Sequence, residues 1–126
     1  MPQSNLKKNF IKIASLYNEE AVFTAFDTET TGLHCKKDKI IEIGAIKFNK
    51  FGIIDKFSAL VNPGICLPYQ CYELSGISQE MVEDKKTIEF VLPDFFDFIE
   101  DSILIAHNAN FDVGFISPVS IQTPEQ

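Results

Sequence analysis

The sequence predicts an α/β domain on a mixed sheet: three antiparallel strands, a helix, a parallel strand and a further helix, incomplete at its C-terminal end. Three observations predict it. Apolar runs rich in Ile, Val and Phe at 21–27, 39–48 and 51–61 follow one another through short turn-forming connections, as in a meander. Residues 88–99 place Ile88, Val91, Leu92, Phe95, Phe98 and Ile99 on one helical face. A short apolar run at 102–108 then leads into a helical start at 110–116, and a strand reached through a helical crossover lies parallel to its neighbour.

Taken in order, Leu6, Phe10, Ile13, Ala14 and Tyr17 recur at spacings of three and four behind Ser4 as a plausible N-cap, which predicts an amphipathic N-terminal helix. AVFTAFD (21–27) reads as a buried strand running into an acidic tip. KIIEIGAIKF (39–48) and FGIIDKFSALV (51–61) are the next two strands, with Asn49 to Gly52 carrying hairpin-turn chemistry. Asn62-Pro63-Gly64 ends the sheet edge, and SGISQEMV (75–82) reads as a turn into a short helix. Thr87 caps the 88–99 helix, where Pro93 predicts a kink or restart. The last ten residues, with Pro118 and Pro124, read as a frayed tail. The expected organisation is a helical extension over 1–20, the sheet domain over 21–116 and an irregular tail over 117–126.

A chain of 126 residues, 45% hydrophobic and 23% charged, suits one ordinary globular domain and excludes a wholly disordered one. No apolar run approaches a membrane span, and no export signal is legible at the N-terminus. Cys35, Cys66 and Cys71 form no CxxC pair, a pattern suited to a reducing cytoplasm. The net charge of −7 lies entirely in residues 87–126, which hold seven acids and no Lys or Arg. All basic residues are Lys. A protein that binds nucleic acid by covering phosphates is basic, so metal ions or a partner must supply positive charge if this chain handles DNA or RNA.

Two segments carry chemistry. In FDTETTGL (26–33), strand geometry projects Asp27 and Glu29 from the same face. Two such carboxylates repel unless one is protonated or a cation lies between them, and hard oxygens suit Mg²⁺ or Mn²⁺. Thr30, Thr31 and Gly32 form a tight turn whose backbone can approach a ligand. A bare pair of acids also describes a solvated strand end. In AHNANFDVGF (106–115), His107 and Asn108 follow a buried strand and Asp112 falls early in the next helix. Ligands gather beyond strand ends in α/β sheets, so Asp112 is expected to face Asp27 and Glu29. Alternatively, His107 and Asn108 satisfy loop backbone groups, and Asp112 answers the helix dipole.

In this order, FDTETTGL, IIEIGAIKF, SGIS and AHNANFDVGF resemble the motifs of the DEDD superfamily of 3′–5′ exonucleases, in particular its DnaQ-like group of proofreading subunits of bacterial DNA polymerase III. The resemblance covers residues 21–116. It implies a ribonuclease-H-like fold and a two-metal reaction that removes nucleotides from a nucleic-acid 3′ end, single-stranded DNA foremost. It also implies a DNA polymerase catalytic subunit as partner. Asp27 would bridge both metals, Glu29 would bind the one that activates water, and Asp112 would hold the second. The Thr30-Thr31-Gly32-Leu33 backbone would cradle the terminal nucleotide, with Leu33 as an apolar wedge and Gln70, Ser75, His107 and Asn108 as further substrate contacts. Relatives also place a Glu at position 42, where a paired structural carboxylate is expected rather than a ligand.

The family also needs a third motif downstream, with a fourth carboxylate and a His or Tyr that deprotonates the attacking water. The fourteen residues after Asp112 contain no Asp, His or Tyr. The expectation is therefore a truncated domain with impaired catalysis and apolar surface exposed on the sheet and the 88–99 helix. Two rivals stand beside it: a non-catalytic module that grips a nucleic-acid end or a polymerase, and a two-carboxylate glycosidase.

Overall fold

The computed structural model describes residues 21–32 and 37–106. Its elements are β1 (Phe23–Thr30), β2 (Ile40–Asn49), β3 (Gly52–Leu60), α1 (Tyr69–Ser75), α2 (Gln79–Val82), α3 (Ile88–Ile99) and β4 (Ile103–Ala106). The strands form one mixed sheet in the order β3-β2-β1-β4. β1 pairs antiparallel with β2, β2 antiparallel with β3, and β4 parallel with β1. This is the mixed sheet that the strand pattern predicts. The expected helices at 4–17 and 110–116, and the tail, lie outside the described residues.

Alternation along β1 gives the sheet its two faces. Phe26 turns to the first face, where Ile43 and Ala45 of β2 join it. α3 covers this face with Val91, Leu92 and Phe95, forming the larger core. Phe95 contacts the rings of Phe26 at 5.5 Å and Phe57 at 5.7 Å between centroids. Lys47 reaches over the Phe98 ring at 4.8 Å, so its stem covers apolar surface while its charge stays wet. Ser102 Oγ donates to the Ile99 carbonyl at 2.6 Å, which leaves Thr24 Oγ1 to donate to Ser102 Oγ at 2.7 Å. That chain of hydroxyls ties the end of α3 to β1.

The second face carries Ala25, Asp27 and Glu29 of β1 and Gly44 and Glu42 opposite them. α1 and α2 cover only one end of it, where Ile41, Cys71, Ile77 and Val82 form a smaller core against Leu60 and Leu67. Towards the β2–β3 hairpin the face is open: Ile46 is 40% and Ile53 61% exposed. Apolar surface is exposed on the sheet at these residues and on α3 at Phe90, while Val91, Leu92 and Phe95 of α3 are buried. Asn49 Oδ1 accepts the Phe51 N–H at 2.9 Å and Gly52 takes φ 133°, the local chemistry of the hairpin. No described helix is long and apolar enough to cross a membrane.

The structure corrects three local expectations. β1 continues to Thr30, so both acids lie within the strand rather than at its tip. Residues 69–75 form a helix that the pattern did not reveal, and Ser75 ends it instead of opening a turn. Seven residues are too few for a legible period, and α1 persists because Cys71 is buried and Gly76, at φ 77°, caps it. Pro93 does not restart the helix: α3 is one helix from Ile88 to Ile99. Its missing N–H would have met the carbonyl of Glu89. Both residues lie on the exposed side, where water can take that bond, while Val91, Leu92 and Phe95 hold the other side.

Candidate active site

The period of two that buries Phe26 and Thr28 puts Asp27 and Glu29 together on the open face, Asp27 exposed and Glu29 half-buried. Asp27 Oδ1 accepts the Thr28 N–H at 3.0 Å, which directs one oxygen back to the strand and leaves the carboxylate facing solvent. Opposite Asp27 stands Gly44, and a Cβ built there would meet no atom within 4 Å. Opposite Glu29 stands Glu42, also half-buried. Between Glu29 and Thr30 the ladder slips, so that β2 carries one residue more than β1. Such bulges re-aim side chains beside functional sites.

Asp27 and Gly44 border an open hollow of about 600 Å³, together with Ala25, Ile46, Lys56, Ser58 and Ile105. Its wall is mostly apolar, with one carboxylate and one ammonium. A second hollow at the hairpin end shares Ala25 and Ile46 with the first, is lined further by Phe48, Phe51 and Ile53, and carries no carboxylate.

The turn after β1 is held by its own hydroxyls. Thr30 Oγ1 donates to the Gly32 carbonyl at 2.6 Å. Thr31 Oγ1 donates to Asp38 Oδ1 at 3.1 Å and accepts the Lys39 N–H at 2.9 Å, while the Thr31 N–H reaches the Lys39 carbonyl at 2.8 Å. A Cβ at Gly32 would meet the Asp38 carboxylate, so a side chain there would push that carboxylate out of its bond to Thr31. With both threonine hydroxyls engaged inside the turn, a ligand would meet the backbone there.

α1 adjoins the same turn. Cys71 Sγ lies 3.6 Å from the Thr30 carbonyl oxygen. Burial pushes the Cys71 thiol above its ordinary range; the Ser75 hydrogen bond opposes the shift and the Glu29 charge adds to it. Ser75 Oγ donates to the Cys71 carbonyl at 2.6 Å and accepts the Ile77 N–H at 3.1 Å, closing the end of the helix. Gln70 is exposed on α1. β4 pairs Ala106 with Phe26, one residue before Asp27 on β1.

Of the residues that the sequence singled out, Asp27, Glu29, Thr30, Thr31 and Gly32 are contiguous, and Gln70 and Ser75 lie on the helix against them. Leu33, His107, Asn108 and Asp112 lie outside the described residues. The donor chemistry of Asp27 and Glu29 fits a hard divalent cation. Among the described residues, however, no group of three His, Cys, Asp or Glu converges to hold a metal. Sequence reasoning passed over Gly44, Asp38 and Cys71. Only Gly44 left a signal, as a glycine inside a strand.

A family model described as Exonuclease matches residues 24–122. The DNA polymerase III PolC-type of Clostridium perfringens is 52% identical over 94 residues, which are 75% of this chain and 6% of that protein. The DNA polymerase III subunit epsilon of Treponema pallidum is 45% identical over 100 residues, 79% of this chain and 46% of that one. The chain thus spans less than half of the length of these relatives. Exonuclease X, solved in complex with 5′ overhanging duplex DNA, superposes with a TM-score of 0.63 at 32% identity over 74% of this chain and 52% of that one. Exonuclease I superposes with a TM-score of 0.72 at 16% identity, over 81% of this chain and 25% of that one, a likeness of fold. The family match over most of the chain, relatives near half identity and the sheet order agree: the chain belongs to the exonuclease family, in its DnaQ-like DEDD branch, and has the ribonuclease-H-like fold.

Proposed function

We propose that these residues form part of a metal-dependent 3′–5′ exonuclease of the polymerase-proofreading type, acting on the 3′ end of single-stranded DNA. One relationship carries this: Asp27 and Glu29 share a strand face, and on it Asp27 borders an open hollow opposite Gly44, which leaves the space clear. Asp27, Glu29 and, from its sequence position, Asp112 would hold Mg²⁺ or Mn²⁺, which supplies positive charge to the attacking and leaving oxygens of an in-line displacement. The chain's own residues do the positioning. The Thr30–Gly32 backbone, fixed by Thr31 and Asp38, presents a rigid edge to the terminal nucleotide, with Leu33 as the wedge. Lys56 brings the one ammonium of the hollow towards phosphate. Gln70, Ser75, His107 and Asn108 complete the nucleotide contacts. The polymerase names of the relatives favour a DNA polymerase catalytic subunit as partner and the cytoplasm as compartment.

Among the described residues no third His, Cys, Asp or Glu joins Asp27 and Glu29 to hold a metal, which favours a second reading, a module that binds a nucleic-acid end or a polymerase without cleaving. Release of mononucleotides from a 3′-labelled single strand, with Mg²⁺ or Mn²⁺ present, separates the two. Release that disappears with chelator and in Asp27→Ala supports the nuclease. Tight binding of the strand with no release under any metal supports the module.

A further inference from the structure

Glu29 precedes the slip in the β1–β2 ladder, and the residue that absorbs the slip is Ile41, which is fully buried. The extra residue lies on β2, and a bulge sharpens the local twist of the pair where β1 passes from Glu29 to Thr30, so the direction in which Glu29 projects depends on what holds the bulge. Two contacts from one side chain meet there. Cys71 packs with Ile41 in the smaller core, and its Sγ lies 3.6 Å from the carbonyl oxygen of Thr30, the residue next to Glu29. Cys71 is 5% exposed in the middle of α1, and the Ser75 hydroxyl holds the carbonyl of Cys71 itself. Thus α1 presents a small, buried donor to the backbone of the bulge.

We propose that Cys71 is a positioning residue for Glu29: its S–H donates to the Thr30 carbonyl and its body seats Ile41, so that the bulge, and Glu29 with it, has one orientation. This rests on Glu29 being a metal ligand. A sulfur donor is weak, so its effect is on direction rather than on the stability of the fold. Groups that orient a ligand from behind typically change metal affinity by about 10–100-fold when removed.

The test uses the whole chain and Mn²⁺ alone as probe. Mn²⁺ titrations and metal-free melts are compared for wild type, Cys71→Ala, Cys71→Ser and Glu29→Gln, with amide exchange followed at Thr31. Cys71→Ala is expected to weaken Mn²⁺ binding at least about tenfold and to speed Thr31 exchange. Cys71→Ser, which keeps a donor, recovers most of the affinity even where its melting temperature is lower. Should Cys71→Ala not fold, Cys71→Val fills the space without a donor and takes its place. Unchanged Mn²⁺ affinity in Cys71→Ala, or an equal loss in Ala and Ser that follows their melting temperatures, overturns the proposal. Unchanged affinity in Glu29→Gln instead overturns the metal reading, and Thr31 exchange alone then shows whether Cys71 holds the bulge.

Discussion

Glu29 and Glu42 stand directly opposite each other on β1 and β2, both half-buried and both on the face that carries Asp27. A like-charge pair directly opposite in an antiparallel ladder is destabilising unless something else is drawn to it. Among the described residues no third His, Cys, Asp or Glu closes a cage around a cation there. The pair sets two carboxylates side by side on the face that carries Asp27.

This predicts that Glu42→Gln raises stability in the absence of metal, by about 0.2–1 kcal/mol at low salt. High salt screens exposed charges, so the gain shrinks as ionic strength rises. Urea melts in chelator at two salt concentrations measure both effects. A loss of stability at low salt would mean that Glu42 makes a contact worth more than the repulsion.

Gly44 leads to a prediction in which stability and activity part. A strand-interior glycine costs roughly 0.5–1 kcal/mol relative to alanine, and a methyl group at position 44 meets nothing. Gly44→Ala is expected to melt higher than wild type yet to release mononucleotides more slowly, because the methyl enters the space facing Asp27. Equal or faster release would remove Gly44 from the site.

Cys71 sets an alkaline limit. Its thiol is raised in the folded chain above the ordinary value of 9.0, chiefly by burial. The unfolded chain then loses this proton at lower pH than the folded one, so the contribution is complete below pH 9 and declines as pH rises beyond it. Melts between pH 8 and 10.5 should fall more steeply for wild type than for Cys71→Ala. Parallel curves would remove Cys71 as the source of the alkaline loss.

The metal reading is checked directly by titrating Mn²⁺ against wild type and Asp27→Ala. Binding is expected in wild type only, since Asp27 supplies the exposed hard oxygens beside the hollow. Equal binding in both would remove Asp27 from the metal site.

Activity of these 126 residues alone is expected at least a hundredfold below that of a relative with a positioned base, within the roughly 10²–10⁴-fold that general-base catalysis contributes. Mn²⁺ or raised pH should recover part of it by increasing the supply of hydroxide. The pH range must stay below the alkaline limit set by Cys71. Full activity at neutral pH would show that another group supplies the base.

The strands β1 to β3, the helix α3 and the shared face of Asp27 and Glu29 were legible in the chain itself, because side-chain periods of two and 3.6 are local properties of the backbone. The Thr-Thr-Gly turn was legible from its glycine, a local property too. What stands opposite Asp27 and Glu29 was not. Gly44 and Glu42 reach those places through the register of two strands, which the burial of Phe26, Ile43 and Ala45 under α3 determines. α1 was illegible too, since seven residues form a helix only when a buried Cys71 and a left-handed Gly76 hold them. Even Pro93, a breaker by local rules, is overridden by the side of α3 that it does not touch. Local periodicity decided which side chains share a face; long-range packing decided what faces them, because register and helix docking are chosen by apolar surfaces far apart in the chain.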